Sequence, residues 1–151
     1  MSKEFKKIFK IIDHSKVKIS EEYIDIEQFY LDFYPRIRCR NFNNNCTMAV
    51  KVVVENNEKI EHSFSISKKE YEELKKQRVS KLMTKRRHEA IFETHIGIYD
   101  EFHGELNLNI LSMEFESREE MDKFKTPLFL LETGDILTVE ELKFKNTVNT
   151  K

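Results

Sequence analysis

Polar and apolar positions along this chain alternate mostly with a period of two. Gln28 and Tyr30 share one side of their segment, as do Arg36, Arg38 and Arg40, and as do Met48, Val50 and Val52 opposite Lys51. Side chains of a strand point to opposite faces in turn, so this period predicts strands rather than helices. Segments rich in Ile, Val, Phe and Tyr recur between turn signals and give eight predicted strands. They are Glu4–Ile12, Tyr23–Leu31, Arg36–Asn41, Thr47–Glu55, Lys59–Ile66, Arg86–Thr94, His95–Phe102 and Leu106–Glu116. Asn-rich turns at Asn43–Asn45 and Asn56–Asn57 make hairpins of them. Three S/T-x-x-E capping boxes predict short helices: Ser67 with Glu70, Ser117 with Glu120, and Thr138 with Glu141. The first helix carries Tyr71, Leu74, Val79 and Leu82 at roughly helical spacing, and the second carries Met121 and Phe124 before Pro127. These stripes read as packing faces. The alternation fits an antiparallel sheet with one solvated face and a closed barrel with a polar lumen equally well.

Length changes little in this picture, since 151 residues suit one domain, expected over residues 1–144 with a frayed tail at 145–151. No apolar run approaches the length of a membrane helix, and MSKEFKKIFK lacks the apolar stretch of a signal peptide, so a cytoplasmic protein is expected. Charged residues make up 35% of the chain, but 26 Lys and Arg stand against 27 Asp and Glu. A balanced total does not mark a nucleic-acid binder, so function must come from local clustering. Cys39 and Cys46 flank NFNNN and are expected to be reduced thiols.

The clustering lies in basic residues two apart on predicted strands: Arg36 and Arg38 in PRIRCR, Lys51 in MAVKVVV, Lys85 and Arg87 in TKRRH. Each i, i+2 pair projects from one face of its strand. Brought together, such charges repel by roughly 3 kcal/mol per pair at about 6 Å and an effective dielectric of about 20. Carboxylates, a bound polyanion or both must offset that repulsion, and a triphosphate is the natural client. The other reading is a solvated sheet face with surface ion pairs worth little each. His88, His95 and His103 are scattered and read as loop or core residues, while Asp100 is placed to orient a basic side chain and Asp135 to cap a terminal helix.

In order, IEQFYLDFYPRIRCR, MAVKVVV, FSISKKEYEEL, KRRH, DEFHGEL, SMEFES and LLETGD resemble the CYTH superfamily, the triphosphate tunnel metalloenzymes. The resemblance spans roughly Glu4 to Leu142, and DEFHGEL followed by SMEFES is its most specific part. It implies an eight-stranded antiparallel β-barrel lined by charged side chains, with a few short helices outside. It implies further that Arg36, Arg38, Lys51, Lys85 and Arg87 hold phosphates, and that Glu4 and Glu114 hold at most one Mg²⁺ or Mn²⁺, with Glu116 able to stand in for Glu114. The acidic half of the pattern is thinned. Lys6 stands where a second glutamate belongs, Ile8 where a lysine belongs, Ser63 and Ser65 where an acidic pair belongs, and Ser112 where another acid belongs; a register slip of two would bring Glu61 in.

Two function classes follow. One is a weak metal-dependent triphosphatase using Glu4 and Glu114; the other is a module that captures a nucleotide or polyphosphate without turning it over, which loss of carboxylates favours. A third reading, a single-stranded nucleic-acid module, rests on the basic run Lys75–Arg87, and acidic stretches such as EFESREEMD oppose it. Nothing in the sequence supplies the base or adenine pocket that a cyclase needs.

Overall fold

The computed structural model describes residues 2–55, 58–103 and 108–133. Its strands are β1 (Ser2–Ile11), β2 (Lys18–Phe33), β3 (Arg36–Phe42), β4 (Asn45–Val53), β5 (Lys59–Ile66), β6 (Met83–Phe92), β7 (His95–His103), β8 (Asn109–Phe115) and β9 (Leu130–Glu132). Two short helices join them, α1 (Lys68–Lys75) and α2 (Arg118–Lys123). The strands hydrogen-bond in the order β5-β4-β3-β2-β6-β7-β8-β1-β9, and β5 also pairs with β1. The pairings described residue by residue are antiparallel. The fold is therefore the expected eight-stranded antiparallel β-barrel, with β9 added beside β1. Among the described residues no helix is long and apolar enough to cross a membrane.

The described residues fall into two compact bodies, one of residues 2–3 and 26–84, the other of residues 4–25 and 85–133. In the first, one face of β2 to β5 packs under α1. Phe29, Cys39, Cys46 and Tyr71 are buried there with Leu31, Met48, Ile66 and Leu74 against them. α1 starts where the capping box places it: Ser67 Oγ accepts from the Glu70 N–H and the Glu70 carboxylate accepts from the Ser67 N–H. Tyr71 is wholly buried, and its hydroxyl donates to Glu27 Oε1 at 2.8 Å, an oxygen that Lys75 Nζ also meets at 2.9 Å. This polar clasp fixes the helix to β2. The helix is shorter than its apolar spacing predicts. Val79 leaves it because its N–H donates to the Tyr30 carbonyl at 2.9 Å, and Val79 and Leu82 are both 40% exposed. The Asn turn forms as expected, with Asn43 and Asn44 at φ 51° and 64°, a region Asn tolerates. Its register sets Cys39 opposite Met48 and Cys46 opposite Asn41, so the two free thiols lie diagonally, and burial pushes the Cys39 thiol up to about 11.

In the second body, Phe9, Val17, Ala90, Phe92, Tyr99, Leu111, Met113, Phe115 and Leu130 form the core. Phe124, just past α2, packs on Phe9 and Phe115, and His95 sits against Phe92 and Phe124 as a core histidine. Two features escape the sequence pattern. β2 begins at Lys18, five residues before Tyr23, and β9 follows Pro127 to lie with Leu130 opposite Ile11. Gly97 on β7 carries a close approach, since a Cβ there would lie 2.8 Å from the Ser112 carbonyl and 3.3 Å from Leu111 Cδ1. Backbone cannot yield cheaply. Gly97→Ala is expected to cost roughly 1–3 kcal/mol of stability, read as a lower urea midpoint with an unchanged slope. The predicted helix after Thr138, Asp135, the Asn56–Asn57 turn and the tail at 145–151 lie outside the described residues.

Candidate functional site

In the first body, the polar face is the one turned away from α1. Register places Arg36 opposite Lys51, Arg38 opposite Ala49 and Arg40 opposite Thr47 across β3 and β4. Across β4 and β5 it places Lys51 opposite Glu61, Ala49 opposite Ser63 and Thr47 opposite Ser65. Residues directly opposite share a face, so Arg36, Arg38, Arg40 and Lys51 stand together with a single carboxylate from these three strands. That carboxylate is Glu61, with Oε2 at 3.5 Å from Arg38 Nη2 and 4.0 Å from Lys51 Nζ. Arg36 lies over the Tyr30 ring at 5.8 Å, and Arg40 Nε donates to Gln28 Oε1 at 3.3 Å. Among the described residues, Arg38 Nε is buried and donates to no acceptor. A buried guanidinium N–H without an acceptor is costly and marks a place where an anionic oxygen fits.

In the second body the cations come from β6. Arg87 grips Asp100 through two bonds, Nε to Oδ1 at 2.8 Å and Nη2 to Oδ2 at 2.9 Å, and Lys85 Nζ stands 3.2 Å from the same Oδ2. Lys85 is only 4% exposed and lies over the Phe102 ring at 5.1 Å. Burial alone would raise the Asp100 carboxyl, but the Arg87 hydrogen bonds and the Lys85 and Arg87 charges override it and hold the group at about 2. Two cations thus share one carboxylate here as well. Arg87 also lines a cleft of about 560 Å³ with Ser20, Glu22, Glu89, Ser112 and Glu114. The Glu114 charge joins Asp100 in raising Arg87 against the opposing effect of burial. Across β1 and β8, Lys6 stands directly opposite Glu114 and Ile8 opposite Ser112.

The sequence-predicted residues therefore assemble in two sets. Arg36, Arg38 and Lys51 share the face that carries Glu61, and Lys85 and Arg87 share Asp100. Glu114 joins Arg87 in the cleft. Glu4 is half-buried on β1 and Glu116 is exposed just past β8; neither lines that cleft. Among the described residues no three His, Cys, Asp or Glu side chains gather into a cation site. Ser63 and Ser65 share the face of Arg38, as their predicted register requires. Glu61 is there too, which the sequence reading admitted only through a slip. Lys51 and Glu61 are equidistant from Asn56, and that hairpin symmetry was the available signal. His88 is tied to the Ser20 carbonyl at 2.7 Å and to Glu101 at 2.8 Å.

No family model and no curated protein matches the chain. Among solved structures, the inorganic triphosphatase NE1496 is similar at 20% identity with a TM-score of 0.60, over 91% of this chain and 91% of that one. The PH1012 protein from Pyrococcus horikoshii OT3 is similar at 17% identity with a TM-score of 0.57, over 80% of this chain and 84% of that one. At these identities the likeness is one of fold. It agrees with the eight-stranded antiparallel barrel described above.

Proposed function

We propose that this chain binds a small triphosphate-bearing or polyphosphate anion in the cytoplasm, with Arg36, Arg38, Lys51, Lys85 and Arg87 as its phosphate contacts. The observation that supports the reading most directly is the buried Arg38 Nε, which meets no acceptor among the described residues, on a face that also carries Arg36 and Lys51. Several cations gathered on one face favour an anion with several charges. Arg offers a planar fork to two phosphate oxygens and Lys a point charge, so the mixture suits a chain of phosphates. A fold shared with an inorganic triphosphatase adds to the case.

Capture without efficient hydrolysis is the preferred form. The expected ligands of one Mg²⁺ or Mn²⁺, Glu4, Glu114 and Glu116, form no converging set of three, and Lys6 faces Glu114 across the ladder. Such a donor set would leave the phosphates and water to complete the shell of any divalent ion. Weak metal-assisted hydrolysis is the alternative, favoured by Glu114 lining the same cleft as Arg87.

Calorimetric titration with tripolyphosphate and with ATP, each in EDTA and in Mg²⁺ or Mn²⁺, tests the reading. Saturable binding in EDTA that survives a rise in salt, with no release of phosphate, is the expected result. Turnover that needs metal and is lost in Glu114→Gln supports the triphosphatase instead. Binding that collapses steeply with salt and extends to single-stranded nucleic acid would overturn both. Titrating Arg38→Gln and Arg87→Gln separately shows whether both sets of cations act on the same anion.

A further inference from the structure

We propose that the cleft of the second body is a binding site for an aliphatic di- or polyamine, with Glu22, Glu89 and Glu114 at its ammonium groups and Ile24, Ile96 and Ile98 along its methylene stem. The inference goes beyond the anion-binding reading and stands without it. Ala90 and Phe92 on β6, Tyr99 on β7, and Leu111, Met113 and Phe115 on β8 belong to the core, so the alternate residues of these strands face the other way. Those alternates, with Glu22 and Ile24 from β2, line the cleft of about 560 Å³, a volume that suits a small organic molecule. Hydrogen bonding runs in the order β2-β6-β7-β8, so β7 lies between Glu89 on β6 and Glu114 on β8. It brings no charge to the cleft. What it brings is Ile96 and Ile98, the latter opposite Ser112 of β8. An apolar strip thus separates two carboxylate-bearing strands that stand roughly 10 Å apart, two strand spacings of about 4.8 Å each.

The lining decides the kind of occupant. Ile96 is 63% and Ile24 41% exposed in a concave place, where a methylene chain laid over them would remove both from water. Glu22, Glu89 and Glu114 are exposed, and among the described residues none of them forms an ion pair with a lysine or arginine. Arg87, the guanidinium that lines the cleft, is already gripped by Asp100 through two bonds. The cleft therefore attracts positive charge. Its carboxylates are spread rather than converging, since among the described residues no three acidic, His or Cys side chains gather into a cation site. A compact inorganic ion finds no shell there, while a cation whose charges are set apart along a chain finds a carboxylate at each end.

Calorimetric titration of the whole chain with spermidine at moderate salt, with Mg²⁺ and butylamine as comparison cations, tests the site. Spermidine should bind saturably and at least about tenfold more tightly than either, because Mg²⁺ lacks the stem and butylamine the second charge. Glu89→Gln and Glu114→Gln should each weaken spermidine about tenfold, and the two together about a hundredfold, as separate groups on strands two apart would. Ile96→Ser should weaken spermidine several-fold and leave Mg²⁺ unchanged. Glu119→Gln, on α2 and outside the cleft lining, should change neither. These positions are exposed, and unfolding curves alongside check that each variant is folded. No saturable spermidine binding by wild type, or equal affinities for spermidine and Mg²⁺, would overturn the proposal, and neither result needs a variant to fold. A double variant of Glu89 and Glu114 within twofold of wild type would overturn it as well. No phosphate enters these titrations, so their failure and the failure of the anion-binding reading are separate results.

Discussion

Asp100→Asn should lower the unfolding free energy by roughly 3–5 kcal/mol, the cost of stranding a buried charge when its partner is removed. Lys85 is 4% exposed and Asp100 7% exposed, so water cannot take over the lost interaction. Asn also presents an NH₂ donor where Asp100 accepts from Arg87 and meets Lys85, which adds donor against donor. The pH dependence follows from the same geometry. The Asp100 carboxyl lies at about 2 in the folded chain against an ordinary 3.8, so its folded value is depressed. Its contribution is fully present above about pH 4 and is lost as pH falls toward about 2, worth roughly 2 kcal/mol in all. Asp100→Asn should therefore be less stable than wild type at pH 7 and converge toward it in acid. Urea unfolding at pH 7, 4 and 2.5 measures both. A parallel loss at all three values would show that folding leaves the Asp100 carboxyl at its ordinary value, and that Arg87 and Lys85 do not hold it. Because the substitution also removes the carboxylate that Lys85 and Arg87 share, tripolyphosphate should return part of the stability by mass action.

How far the sequence foretells this molecule depends on where its information is local. Alternation along Arg36–Asn41 and Thr47–Glu55 is a property of each strand by itself, and an Asn turn between them sets the register. Hence the face carrying Arg36, Arg38 and Lys51 was legible before any coordinates. The Ser67 capping box is equally local, and it forms as read. What escaped is set by partners distant in sequence. β9 exists because Leu130 and Leu131 find the edge of β1, more than a hundred residues earlier, and three residues have no pattern of their own. α1 ends early because the Tyr30 carbonyl captures the Val79 N–H, so tertiary bonding overrides the apolar spacing. The β2 start at Lys18 was hidden by Ser20, Glu21 and Glu22, whose polarity suggests a loop although Val17 and Ile19 pack into the core. Asp100 was read as orienting a basic side chain, and it does; which cations it meets was hidden, because Lys85 and Arg87 lie across sequence gaps that carry no motif of charge.

Arg38→Gln should weaken tripolyphosphate binding about 100-fold, the scale of truncating one partner of a largely desolvated, hydrogen-bonded charge pair. Arg38 is singled out because its Nε is buried with no acceptor among the described residues while its Nη2 meets Glu61 at 3.5 Å. One edge of the guanidinium is answered within the protein and the other is not. Arg38→Lys should keep the charge but lose the fork, and it should fall between wild type and Arg38→Gln. Glu61→Gln should move the other way, strengthening binding a few-fold, because the carboxylate that neutralises Arg38 and Lys51 competes with phosphate for them. These opposite signs separate a phosphate site from a structural ion pair. Were Arg38 and Glu61 only holding β3, β4 and β5 in register, both substitutions would reduce stability and leave tripolyphosphate affinity alike. Titration of the three variants in EDTA at moderate salt, with unfolding curves alongside, distinguishes the cases. An Arg38→Gln affinity within twofold of wild type would remove this face from the binding site.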